Sequence, residues 1–202
     1  MPPELHGGIK VASENAVREA MGNRAFIVRP GLITGPGDYM DRFGYWPARL
    51  SRGGRVVVPD TPHQPIQHID VRDLAAWIVT AGERRLSGAY DAVGPVLELG
   101  PTLRHIAALV AADGTELVPV SPDKLTEAGV NPWGGPRSLP MWVPPSHYGL
   151  VSHDATSAWA AGLHTRPLAD TVHAVLADER DRGLDRTRTA GLTAEEENTL
   201  LT

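Results

Sequence analysis

The chain has 202 residues, 42% hydrophobic and 21% charged, with a formal net charge of −5 at pH 7 and no cysteine. This is enough chain for one domain with a real core, and it excludes a disulfide framework, a thiol nucleophile and a cysteine-based zinc site. The acidic balance, without any stripe of Lys and Arg, argues against nucleic acid as the main partner.

From His6 to Met21, the residues Ile9, Ala12, Ala16, Val17, Ala20 and Met21 recur at helical spacing, and Gly22 is a natural stop. Ala25-Phe26-Ile27-Val28 reads as a buried strand ended by Arg29-Pro30-Gly31. Gly35-Pro36-Gly37-Asp38 is a loop. A helix is expected over 41–52, with Pro47 inside it, and Arg55-Val56-Val57-Val58 is a second strand ended by Pro59. Asp70 is placed to cap a helix, with Asp73 near the positive end and Leu74, Trp77, Ile78 and Ala81 on one apolar face.

A strand follows at 89–93, then a helix capped by Thr102 and carrying Leu103, Ile106, Ala107, Leu109 and Val110. Residues 116–120 form a strand, and Ser121-Pro122 opens a short helix. Residues 131–150, rich in Pro, Gly and Trp, read as a long irregular stretch. Helices are expected near 154–161 and 168–182, a linker from Gly183 to Leu192, and a capping box at Thr193-Ala194-Glu195-Glu196.

Strands mixed with helices make the class α/β. The chain opens on a helix, and no G-x-G-x-x-G run follows any strand, so the phosphate-cradling turn of a dinucleotide fold is absent from these residues. The histidines show no metal-ligand spacing, so no metal is expected, and no G-x-S-x-G elbow supports a serine hydrolase. No segment has transmembrane length, and the start lacks the basic and apolar regions of a signal peptide. The expectation is a cytoplasmic protein with no membrane partner.

Three segments carry a resemblance. His6-Gly7-Gly8-Ile9-Lys10, followed by Glu14, matches Y-G-x-x-K-x-x-x-E with His in place of Tyr. Phe26-Ile27-Val28-Arg29-Pro30-Gly31-Leu32-Ile33-Thr34-Gly35-Pro36-Gly37 follows as a strand and turn. Ile66-Gln67-His68-Ile69-Asp70-Val71-Arg72-Asp73-Leu74-Ala75 is the third. In this order, over about residues 5–95, they resemble the extended short-chain dehydrogenase/reductases, the NAD-dependent epimerase/dehydratase family.

The resemblance implies a partial Rossmann-like fold, with the nucleotide-binding half missing. Within a single domain, 1–95 would hold the end of the Rossmann-like part and the start of the substrate lobe. Residues 96–182 would form the substrate-binding lobe, and 183–202 a linker and C-terminal helix. It implies NAD or NADP as cofactor. Lys10 would hydrogen-bond the nicotinamide ribose and lower the pKa of the acid/base one helical turn away, a place held by His6. An imidazole exchanges protons near neutral pH, but it is shorter than a phenol; the other reading of His6 is a terminal side chain without a catalytic part. Arg29, Pro30, Gly31 and Leu32 would meet the nicotinamide carboxamide.

In such proteins the region of Asp38, Tyr39, Asp41, Arg42, Tyr45 and Trp46 faces the substrate. Arg42 would pair with an anionic group and Trp46 stack on a flat one, or both belong to an ordinary surface loop. Gln67 and Arg72 would also line the substrate, with Arg72 either on a phosphate or bracing the loop through Asp38 or Asp70. Two functions follow: an NAD(P)-dependent epimerase, dehydratase or reductase for a sugar nucleotide or small carbonyl substrate, or an inactive remnant or binding module without dinucleotide. The uncovered first helix and strand edge are expected to bring low stability or oligomerisation, and the resemblance adds a homodimer formed through that helix.

Overall fold

The computed structural model describes the chain from Pro3 to Thr202; the side chains of Pro3, Glu4 and His6 lie outside the described residues. In chain order the elements are α1 (Pro3–Met21), a 3-10 turn (Gly22–Arg24), β1 (Phe26–Pro30), β2 (Leu32–Thr34), α2 (Tyr45–Leu50), β3 (Arg55–Pro59), β4 (Pro65–Ile66), β5 (His68–Asp70), α3 (Val71–Glu83) and β6 (Gly88–Ala92). There follow β7 (Leu97–Glu98), α4 (Leu99–Val110), β8 (Glu116–Val120), α5 (Pro122–Glu127), β9 (Asn131–Trp133), β10 (Ser138–Pro140), a 3-10 segment (Pro145–Val151), α6 (Thr156–Ala160), α7 (Leu168–Arg182) and α8 (Ala194–Leu200). Strands pair two by two: β1 with β6, β2 with β5, β3 with β8 and β9 with β10 run parallel, and β4 with β7 antiparallel.

Two apolar cores organise these pairs. The smaller holds Ile69, Leu74, Trp77, Ala92, Ala158 and Leu163, so α3 and α6 cover the β1–β6 pair. Phe26, Trp77 and Tyr90 meet there at ring-centroid distances of 5.6 to 5.7 Å, a spacing that suits tilted aromatic pairs. The larger core gathers Phe43, Trp46, Leu50, Val57, Ile106, Leu139 and Val172, uniting α2, β3, α4 and α7.

Local chemistry fixes most helix starts. The Asp70 carboxylate accepts from the Arg72 amide and caps α3. Ser121 caps α5, and Thr193 with Glu196 completes the capping box of α8. Three expectations are corrected. Helix α4 begins at Leu99, not beyond Thr102, whose hydroxyl donates back to the Glu98 carbonyl within the first turn. The helix expected over 41–52 shrinks to Tyr45–Leu50, because Asp41 adopts a left-handed φ of 57° that breaks the helical course. Ile78 is 41% exposed, on the outer side of α3, while Leu74, Trp77 and Ala81 face the core.

Helix α1 stands apart from both cores. Leu5, Ile9, Val11, Val17 and Met21 are all exposed, so its apolar stripe covers nothing. Its anchor is ionic: Arg29 donates from Nε and Nη2 to the two carboxylate oxygens of Glu14 at 2.7 and 2.6 Å, and Arg18 adds a bond at 2.9 Å. The hydrogen bond from Arg29 holds the Glu14 carboxyl at about 2, below its ordinary 4.5. The folded-state value is the lower one, so this contribution is complete above pH 4.5 and is lost as pH falls toward 2. Arg29→Ala is therefore expected to speed amide exchange across residues 7–21 about tenfold or more, while moving the unfolding midpoint of the rest by only about 1 °C. Exchange near pH 2 in the unmutated protein, corrected for the intrinsic rate, should show the same local loosening.

Candidate functional site

Strands β1 and β6 run parallel in register from Phe26 opposite Gly88 to Pro30 opposite Ala92, so their carboxyl ends lie side by side. In open α/β sheets this is the edge where ligands bind. Gly31 follows β1 there, so close to Val93 that a Cβ would stand 2.7 Å from its Cγ1. Glycine is what lets the two strand ends approach. Pro30 and Gly31 are exposed, and Leu32 is buried beneath them. Within Arg29–Leu32, Arg29, Pro30 and Leu32 belong to paired strands, and Gly31 lies exposed between them at the strand ends.

Beside this turn, β2 and β5 place Thr34 opposite Asp70. The Thr34 hydroxyl lies 3.1 Å from His68 Nδ1. Burial pushes the His68 pKa down against the pull of Asp70, so the ring is neutral at pH 7. Asp70, 3% exposed, accepts from Arg72 Nε at 2.9 Å and Nη2 at 2.7 Å, and from the Thr171 hydroxyl at 2.7 Å. Burial opposes its charge, but these hydrogen bonds outweigh burial and hold the carboxyl below its usual range. Arg166 stands 3.7 Å away and binds Asp73 at 2.7 Å. The cavity among His68, Asp70, Asp73, Arg166 and Thr171 is about 60 Å³, room for water rather than a substrate.

Several residues expected to line a substrate are engaged inside the protein. Arg72 braces Asp70, one of the two partners considered for it, and donates to the Asp170 carbonyl. Gln67 is buried; its amide nitrogen donates to the carbonyls of Gly94 and His153, and its oxygen accepts from the His153 amide. It ties β5 to the end of β6, leaving little to offer a ligand. The stacking role read for Trp46 is corrected: the ring is 0% exposed, and its Nε1–H donates to the Pro140 carbonyl at 2.9 Å.

The Gly35–Gly44 loop is held from inside. The Asp38 carboxylate accepts from the amides of Met40, Phe43 and Gly44. The Arg42 guanidinium lies over the Trp133 ring at 5.3 Å, and its Nε is buried without a partner. Tyr39 and Met40 are the exposed apolar side chains of the loop. Lys10 is exposed on α1, and no hydrogen bond or ion pair engages it among the described residues. The side chain of His6, read as its catalytic partner, lies outside them.

The linker expected over 183–192 is corrected most strongly. Asp41, 0% exposed, is bonded by Arg186 and by the amide and hydroxyl of Thr189. Glu179, 1% exposed, accepts from Arg182, Arg186 and Arg188. This segment is therefore clasped to the body. Asp41 was singled out in the sequence for its place in the loop; Glu179 and the three arginines carried no local signal, because their partners are remote.

Among the described residues, no group of three or more His, Asp or Glu is placed to hold a metal ion, and no helix is long and apolar enough to cross a membrane. No protein-family model and no curated protein matches the sequence. Solved structures do match, and they place the chain in the Rossmann-type α/β class that its parallel strand pairs and covering helices describe.

One is RMD from Pseudomonas aeruginosa, solved with NADPH, at TM-score 0.58 and 18% identity over 86% of this chain and 54% of the other. A second is a candidate epimerase from Burkholderia cenocepacia J2315, at TM-score 0.59 and 19% identity over 85% and 52%. A third is WbmH from Bordetella bronchiseptica, solved with NAD+, at TM-score 0.50 and 18% identity over 78% and 46%. The fold is shared with these proteins, and the chain spans about half the length of each.

Proposed function

We propose that this chain is the substrate-side portion of a cytoplasmic NAD(P)-dependent epimerase, dehydratase or reductase acting on a sugar nucleotide or small carbonyl compound. It works with a dinucleotide-binding segment that carries the Gly-rich turn, either earlier in the same protein or on a partner chain. The observation that carries this reading is the exposed Pro30–Gly31 turn at the carboxyl edge of β1 and β6, beside a helix, α1, whose apolar stripe is uncovered. Among the described residues β1 pairs only with β6, so its outer edge is open to a further strand.

In this reading the Arg29–Leu32 turn meets the nicotinamide carboxamide through its main chain. Lys10 binds the ribose hydroxyls, and its charge favours the ionised form of a neighbouring acid. His6 stands where that acid belongs. The exposed loop side chains near Asp38 and Arg42 would meet the substrate. The bare stripe of α1 supports a homodimer or the missing segment as its cover. The second reading, an inactive remnant or binding module without dinucleotide, is favoured by His6 at the tyrosine place and by the internal engagement of Gln67, Arg72 and Trp46.

Fluorescence titration with NADH and NADPH tests the proposal. The 202 residues alone are expected to show no saturation up to about 1 mM, a range set by the absent phosphate cradle. Co-expression with a segment carrying that turn should bring binding into the micromolar range, and Lys10→Ala should weaken it. Micromolar binding by the chain alone would overturn the assignment of the dinucleotide site to another segment. Absence of NADH and NADPH binding in the combined protein would favour the binding-module reading.

A further inference from the structure

Behind the Gly35–Gly44 loop, the clasped segment 183–194 roofs a cavity of about 300 Å³, at the lower end of the range for small-molecule sites. Four arginines line it, Arg49, Arg52, Arg186 and Arg188, against one carboxylate, that of Asp185, which is fully exposed. Tyr45 forms part of the wall. A Cβ on Gly191 would overlap its ring, so the glycine lets the segment close over the phenol.

The arginines are not free charges. Arg49 holds Glu197 at 2.5 Å, Arg186 holds Asp41 and Glu179, and Arg188 holds Glu179. These carboxylates behind the wall offset most of its charge. What remains is donor capacity, since each guanidinium has five N–H groups. The Arg186 Nε is buried without a hydrogen-bond partner among the described residues, and the buried Tyr45 hydroxyl lies against the main chain of Leu192. A buried donor without a partner is uncommon and costly, and Arg186, which carries this one, lines the cavity. Arg52 spends only Nη2, on the Leu184 carbonyl and the exposed Asp185.

We propose that this cavity binds a small phosphate group, free or as a monoester, with Arg52 at its mouth and Arg49, Arg186 and Arg188 along its wall. A tetrahedral oxyanion offers several acceptors to donors that converge from different directions. The site is separate from the strand-end turn and does not depend on the function proposed for that turn. An occupant would tie the 183–194 segment to α2.

Calorimetric titration of the 202-residue protein with inorganic phosphate and, separately, glycerol 3-phosphate tests this. Saturable binding of at least one is expected, and the tighter of the two identifies the source. Arg52→Gln should weaken binding about tenfold by removing a charge-assisted donor. Asp185→Asn, a change at a fully exposed side chain, should tighten it by removing the one lining carboxylate. No saturable binding of either probe below about 10 mM, or affinity unchanged by both Arg52→Gln and Asp185→Asn, would overturn the proposal.

Discussion

Replacing Glu179 with alanine is expected to lower the unfolding free energy by about 4 kcal/mol, the range seen when one partner of a buried ion pair is removed. Two effects compete at this position. Burying the carboxylate costs solvation, which the mutation relieves. Against that, Glu179 accepts from Arg182, Arg186 and Arg188, whose side chains are 30%, 19% and 13% exposed. Without it, the most buried of these charges, Arg188, loses its carboxylate, and Arg186 keeps only Asp41. Burial already lowers the pKa of Arg188, so its charged form has little solvent to turn to. The loss of the partner therefore outweighs the relief.

Urea unfolding followed by far-ultraviolet circular dichroism measures the loss. Limited proteolysis should find new cleavage within 183–192. Arg182→Ala, at the more exposed rim, is expected to cost about 1 kcal/mol or less. A Glu179→Ala protein as stable as the parent would show that the cluster contributes nothing to holding the segment.

Trp46→Ala is expected to cost a similar amount, about 3–5 kcal/mol, the range for truncating a buried aromatic side chain. In a chain of this length that corresponds to a fall in melting temperature on the order of 10 °C. The indole lies in the larger core, edge-on to Tyr45 at 5.1 Å, and its loss also leaves the Pro140 carbonyl without its donor. Trp46→Phe should recover most of the packing but not that bond. The contrast separates a packing role from a ligand-stacking one. A stacking residue would cost affinity and little stability, whereas Trp46 is expected to cost stability first, in the absence of any ligand.

Signals confined to a few neighbouring residues were legible in the sequence. Asp70 caps α3, Ser121 caps α5, and Thr193 with Glu196 forms the capping box, as residue types and spacing implied. The α/β class and the turn after β1 were legible too, because an apolar run ended by Arg-Pro-Gly has few alternatives. Thr102 misled because a threonine inside a first turn, bonding back to a carbonyl, has the same composition as a cap.

Strands β2 and β5 were invisible as strands: three residues show no alternation, and each exists through its partner. Trp46 was ambiguous because an aromatic beside charged residues reads equally as surface or core until Pro140 is placed against it. The segment 183–192 read as a linker because its Gly, Asp, Arg and Thr composition is that of a loop. What makes it ordered is carboxylates elsewhere in the chain.

That separation has a consequence for the order in which the protein is built. Arg186 reaches Asp41 across 145 positions, and Arg49 reaches Glu197 across 148. Closing such distant contacts carries a large entropic cost that local pairs avoid. The Glu14–Arg29 pair spans only 15 positions and can form as soon as Arg29 has been made. The larger core includes Val172, Val175 and Leu192, so it cannot close before Leu192 has been synthesised. Until then, Asp41 is a carboxylate waiting in an unfinished interior, and its loop is locked only by Arg186 and Thr189, made 145 and 148 residues later.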